Sequence, residues 1–261
     1  MKKLIFILIQ ILFISNVVSA VEFFKNCDEI VETFYVVCYD YTLKSPIAVN
    51  YVIHEKTVNL NNITKRPGFY RDKTLPKEYS TITSDYTKTG YDRGHIASDS
   101  SFDWDDDHII GVYSMINIVP QTPRTNRNKI FSIEVLERKL SLEFGTIEVI
   151  ELMFFPKNPK RIGKSQLAVP SAFAKILINK DTGIYKECFW VDNNDINVNH
   201  NPYHYKVSCN LIETRWNNSY DYVDPFVEGD MVLLLTLLQK LKKEKLELIE
   251  AVEQLELKLS R

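Results

Sequence analysis

Neither charge sign dominates this chain. Lys and Arg total 32 against 34 Asp and Glu, so the formal net charge is −2. No global basic field therefore advertises a polyanionic partner. The four cysteines include no C-x-x-C pair, which argues against a structural zinc site. The N-terminal apolar stretch Leu4 to Ile14 is broken by Gln10 and is too short to span a bilayer comfortably. "DWDDDH", residues 103–108, lacks the Gly and closing Glu of an EF-hand and reads as a solvated acidic loop. "HNPYH", residues 200–204, sets two histidines four apart, but Pro202 between them breaks a helical zinc pair. Nothing resembles a helix that reads a DNA groove.

What is present supports one sizeable core: 261 residues, 45% of them hydrophobic, with an ordinary 25% charged. The first twenty residues read as a secretory signal, with Lys2 and Lys3 ahead of the apolar stretch and Val18-Ser19-Ala20 as the cleavage site. The competing reading is an uncleaved anchor. Cleavage after Ala20 removes both lysines and leaves a net charge of −4. The mature protein is then periplasmic or secreted, with no stable membrane association. Cys27, Cys38, Cys188 and Cys209 all survive the cut, and an even count in an exported chain suggests disulfides. Three connectivities are open. Cys27–Cys38 with Cys188–Cys209 is favoured, because each closes a local loop. "NIT" at Asn62 and "NNS" at Asn217 match glycosylation sequons, a pattern common by chance.

The pattern along the chain reads as α+β, a mixed or antiparallel central sheet with flanking helices. "YVVCYDYTLKSPIAVNYVIHE" reads as a hairpin interrupted at Pro46. "IIGVYSMINIV" reads as a short buried strand ending at Pro120, and "TIEVIELMFF" as another. Between them, Arg127 to Phe144 reads as a helix. Ile133, Leu136, Leu140 and Phe144 recur at helical spacing, and Gly145 suits the C-cap. "LAVPSAFAKILIN" and "IYKECFWV" supply further strands around an Asp181-Thr182-Gly183 turn, and residues 192–225 read as polar and irregular. From Met231 onward Pro and Gly are absent, and Met231, Leu234, Leu238, Leu241, Lys245, Leu248, Val252, Leu255 and Leu259 form an a/d seam. That tail suits either a coiled coil joining copies of the chain or an amphipathic helix docked on its own domain. The expected divisions are residues 1–20, 21–225 and 226–261.

The chemistry gathers around "TGYDRGHIAS", residues 89–98. His95 is a candidate general base near neutral pH. Arg93 is a fixed planar cation suited to phosphate oxygens, and Gly94 gives backbone freedom. Asn126, Glu134 and Arg138 fall along one edge of the expected helix, away from the stripe through Leu136 and Leu140. Asn and Glu offer hard oxygens suited to Mg²⁺. Taken alone, the helical set is equally an N-cap Asn followed by an i,i+4 Glu–Arg pair.

The ordered set is more specific. "YDRGH", then "NIVPQTPRTN", then "EVLER" resembles the DNA/RNA non-specific endonuclease family, the ββα-metal nucleases that include the mitochondrial endonuclease G type. The matching positions are Asp92, Arg93, Gly94 and His95; Asn117, Ile118, Pro120 and Gln121; Asn126; Glu134; and Arg138. "RIGKSQLAVPSAFAK" adds Pro170 and Lys175, so the resemblance runs from about residue 47 to 190. It departs where family members often carry Trp after the ligand Asn, since Ile130 and Phe131 stand there instead. A Gly-Pro frequent in the family is also missing from "VIELMFFPKNPKRIG".

The resemblance implies a ββα-metal motif and an enzyme that cuts DNA and RNA without regard to sequence. It implies that His95 activates water and that Asn126 is the sole direct protein ligand of Mg²⁺, with Mn²⁺ able to substitute. Glu134 would order the metal's water shell. Arg93 and Arg138 would face phosphate oxygens, Asn117 would hold the His95 loop, and Asp92 would shape it. Arg124 and Arg127 add a local basic field, which is all that phosphate contact requires. The alternative is an exported, catalytically idle nucleic-acid-binding scaffold on the same core. That alternative expects a decayed His–Asn–Glu set, and here the set is intact.

Overall fold

The computed structural model describes residues 23–24, 27–183 and 186–219. The expectations for residues 1–20 and for the heptad tail lie outside them. Seven antiparallel strands form the main sheet in the order β1-β2-β3-β6-β9-β10-β11. These are β1 (Asp28–Val31), β2 (Tyr35–Asp40), β3 (Ser45–Ile53), β6 (Ile147–Phe154), β9 (Ala172–Asn179), β10 (Lys186–Asp192) and β11 (Lys206–Val207). Two short hairpins stand apart, β4 (Asp92–His95) with β5 (Ile118–Gln121), and β7 (Arg161–Ile162) with β8 (Leu167–Ala168).

The central strands are buried along nearly their whole length because both faces of the sheet are covered. All eight residues of β9 are buried, as are seven of the eight in β6. One face takes Tyr51, Val149, Phe173, Leu177 and Phe189 into a core with helix α2 (Phe131–Phe144), which contributes Ile133, Leu136 and Leu140. Each such side chain contributes about 1.5–3 kcal/mol on burial. The opposite face collects Ala48, Ile150, Ile176 and Cys188 under helix α3 (Cys209–Ser219), with Phe23 and Phe24 in the same cluster. Cys27–Cys38 and Cys188–Cys209 are bonded, so the favoured connectivity is the one found.

Four local expectations need correction. The acidic loop is a helix start: Asp105 caps α1 (Asp106–Val112) by accepting from the backbone N–H groups of Asp107 and His108. The strand expected over "IIGVYSMINIV" is consequently the body of α1, a short turn Met115–Asn117, and only then β5. Residues 192–225 are not wholly irregular, since α3 lies within them. Phe144, placed on the apolar stripe, is exposed. Gly145 does end α2, at φ 89°, where a side chain would meet Asp181.

Candidate active site

β4 and β5 pair in the register Asp92↔Gln121, Arg93↔Pro120, Gly94↔Val119 and His95↔Ile118. Gly94 is required there, because a Cβ would sit 2.2 Å from the buried Gln121 side chain. This hairpin followed by α2 is the ββα arrangement. Asn117 fixes the backbone immediately after His95. Its Oδ1 accepts from the Ala97 N–H at 2.8 Å, and its Nδ2 donates to the Ala97 and Val112 carbonyls at 3.0 Å each.

His95 is walled by aromatic rings, with Phe69 at 5.4 Å and Tyr113 edge-on at 4.7 Å. Tyr113 is held in turn by donating to Asp99 Oδ2 at 2.6 Å. His95 Nε2 is closed to solvent and has no partner among the described residues. Burial, with help from the charges of Arg66 and Arg93, pushes the imidazole down to about 3. The ring is therefore neutral near pH 7. Arg93 is exposed and lies over the Phe69 ring at 4.8 Å.

Asp92 joins the hairpin to the helix. Its Oδ2 accepts from Asn126 Nδ2 at 3.1 Å and from Arg127 Nε at 2.8 Å, while Oδ1 takes Arg127 Nη2 at 2.8 Å. Burial alone would raise the Asp92 carboxyl, but the hydrogen bonds from Arg127 and Asn126 hold it below its ordinary value. With its amide nitrogen tied to Asp92, Asn126 has its carbonyl oxygen left for a cation, the hard donor that Mg²⁺ takes. Among the described residues no group of three or more His, Cys, Asp or Glu could hold a metal. A single amide oxygen suits a cation that keeps most of its own water.

The helix carrying Asn126 is not regular. Over Thr125–Ile130 it makes a wide turn, and the Phe131 N–H reaches back five residues to the Asn126 carbonyl. Asn126 and Glu134 are therefore out of the phase a continuous α-helix would give them. The wide turn is pinned from outside by the segment after β10. Asn193 accepts from the Thr122 N–H at 2.9 Å and donates to the Pro120 and Pro170 carbonyls at 3.0 and 2.8 Å. Buried Lys129 donates to the Asp192 carbonyl and to Asn194 Oδ1. None of these supports stood out in the sequence; the signal available was the run of Asn and Asp after β10.

On α2, the Glu134 carboxyl is pushed up to about 6 by burial, with Lys175 pulling it back and Glu137 adding to the rise. Arg138 Nη1 donates to Ser98 Oγ at 3.5 Å. It also lines a cavity of about 440 Å³ with Arg66, Ser100, Asp103 and Asn62. Arg66 is paired with Asp99 at 2.7 Å and Asp103 at 2.9 Å. Arg124 is exposed, and its backbone N–H donates to Asp195. Arg127, one of the expected phosphate cations, forks onto Asp92 while staying solvent-exposed.

A family model for DNA/RNA non-specific endonucleases matches residues 16–227. The chain belongs to that family. Nucleases of this family depend in general on a divalent metal. Similar curated proteins include human mitochondrial endonuclease G, 25% identical over 159 residues, which are 57% of this chain and 54% of that protein. The mitochondrial nuclease EXOG of Xenopus laevis is 26% identical over 190 residues, 67% of this chain and 53% of that one. A nuclease from Nostoc is 38% identical over 82 residues, 31% of this chain and 30% of its own length. The chain spans about half the length of the first two. In fold it matches a chain of the EndoG/EndoGI complex, a crystal structure concerned with EndoG inhibition. That match has a TM-score of 0.68 at 20% identity and covers 76% of this chain and 89% of the other.

Proposed function

We propose that this family member is an exported endonuclease that hydrolyses phosphodiester bonds of DNA and RNA without sequence preference, with Mg²⁺ as cofactor. The observation that carries the reading is the environment of His95: an imidazole held neutral, walled by Phe69 and Tyr113, in a ββα hairpin bonded to Asn126 through Asp92. His95 takes the proton of the attacking water. Asn126 holds the cation through its amide oxygen, and Glu134 orders the water around it. When bound there, Mg²⁺ would supply Lewis acidity toward phosphate oxygens, and Mn²⁺ would be able to replace it. Arg93 and Arg138 meet the charge that builds on the phosphate oxygens, and Arg124 and Arg127 extend the basic rim.

Export is supported by the two disulfides, which persist in oxidising compartments. The heptad tail is proposed to join copies of the chain.

The deciding experiment incubates purified protein with plasmid DNA and with RNA, with Mg²⁺ and with EDTA. Cutting in Mg²⁺ should stop in EDTA. His95→Ala, folded as judged by circular dichroism, should lose about 10²–10⁴-fold in rate. A folded wild-type protein that binds nucleic acid and never cuts it would establish the idle-scaffold reading instead.

A further inference from the structure

Helix α2 carries Glu134 and Arg138, yet its apolar face is short. Ile133, Leu136 and Leu140 pack on the sheet, while Phe131, Val135, Leu142 and Phe144 are exposed. Leu and Ile side chains at three- and four-residue spacing tolerate sliding by one turn at little cost, because one apolar contact replaces another. Apolar packing alone therefore specifies weakly where Glu134 and Arg138 end up along the helix axis.

Between those two residues lies Glu137, and its exposure is 0%. Both of its carboxylate oxygens are engaged from the sheet. Oε1 accepts from Lys175 Nζ on β9 at 2.7 Å, and Oε2 accepts from the Tyr51 hydroxyl on β3 at 2.9 Å. Lys175 also donates to the Tyr51 oxygen at 3.1 Å, closing a three-membered ring of contacts. Beneath it, Glu151 on β6 is the direct cross-strand partner of Lys175 and brings Oε2 to 2.9 Å of Nζ. One residue of the helix is thus gripped by two strands, with a third strand's carboxyl under the grip. Two bonds from different strands constrain both the axial position and the rotation of the middle of α2, and its C-terminal end is held separately by Ser141 Oγ on the Ile53 carbonyl and Asn179 Nδ2 on the Phe144 carbonyl.

A buried charge group of this kind adds little net stability, because desolvation offsets the attraction. Burial presses the Lys175 ammonium down, but the carboxylates around it, Glu137 first, hold it well above its ordinary value, while burial pushes Glu151 up to about 8. What such a group supplies is geometric specificity, since any other register of α2 strands a buried charge.

We propose that Tyr51, Glu137, Glu151 and Lys175 form a register lock for α2, and that they are positioning residues which place Glu134 and Arg138 for phosphodiester cleavage. The inference rests on the nuclease reading above. Its test compares wild type with an all-apolar variant of similar volume, Tyr51→Phe with Glu137→Leu, Glu151→Leu and Lys175→Met. It measures thermal stability, kcat and KM in Mg²⁺, and the ¹³C-methyl spectra of Ile133, Leu136 and Leu140.

The apolar variant should fold with wild-type or higher stability, and kcat should fall at least about tenfold with KM nearly unchanged. Its α2 methyl signals should split or broaden where those of wild type are single. Glu137→Gln keeps an acceptor for Lys175 and should restore a single set of signals and most of the activity. A purely structural role would make activity follow stability in every variant. Should the apolar variant not fold, Tyr51→Phe alone removes one of the two grips and should lower kcat about two- to fivefold, with some loss of stability because Glu137 Oε2 is left without its donor. Wild-type kcat with single methyl signals in the apolar variant, or wild-type kcat in Tyr51→Phe, overturns the lock. An inactive wild type whose methyl spectra respond as described sinks the nuclease reading and spares the lock.

Discussion

At the scale of single residues, His95 and Glu134 divide the pH dependence between them. Burial holds His95 near 3 and raises Glu134 to about 6. If the ionised Glu134 is the working form, kcat/KM should fall as pH drops through about 6, and His95 should contribute nothing to that limb. Glu134→Gln should leave a slow enzyme whose profile is flat there; a limb unchanged by the substitution would refute the assignment. Stability has its own sign. An unfolded His95 takes a proton near 6.5, whereas the folded one resists to about 3. The fold therefore loses stability as pH falls between those values.

Of the residues at the site, those that act by chemical type were legible in the sequence. His95, Arg93, Asn126, Glu134 and Arg138 were singled out by the family resemblance, since their types alone left Asn126, Glu134 and Arg138 equally an N-cap and an i,i+4 pair. Phe69, Tyr113, Asn193 and Glu137 were not, because their work is to hold neighbours that come from distant parts of the chain. Asp92 was half legible. Its sequence position pointed to shaping the His95 loop, whereas its hydrogen bonds run to Asn126 and Arg127.

At the scale of elements, α1 shows why a strand was expected where a helix formed. "HIIGVYSMINIV" is rich in β-branched residues, which favour strands locally. The deciding signal was the acidic run ahead of it, whose member Asp105 caps two N–H groups and puts Asp106 and Asp107 in the first turn. Asp105→Ala should cost about 1 kcal/mol in urea unfolding while leaving the cleavage rate intact. A loss below a few tenths would mean that tertiary packing, not the cap, starts α1. The strands β6 and β9 were read well because burial on both faces imposes an unmistakable apolar run. The wide turn at Thr125–Ile130 was invisible, because its support comes from Asp192 and Asn194, more than sixty residues away.

At the scale of the molecule, both disulfides close short loops and engage the side of the sheet opposite α2. Each should contribute about 3 kcal/mol through its loop. Reduction should therefore lower the melting temperature markedly, while the cleavage rate well below it stays within about twofold of the oxidised enzyme. A collapse of activity in folded, reduced protein would tie the bonds to the site. The heptad tail predicts that deleting residues 231–261 lowers the mass measured by light scattering and leaves cleavage per chain unchanged. An unchanged mass would favour a tail docked on its own domain.

The register of the central strands carries one more consequence. Ile53 ends β3 directly opposite Ile147, which begins β6. Everything between them leaves the sheet at one point and returns beside it, and that excursion contains His95, Asn126, Glu134 and Arg138. Closing so long a loop is a late and entropically costly event for a folding chain. A substitution that loosens the pairing of those two middle strands therefore bears on every one of these residues at once, although none of them lies on either strand.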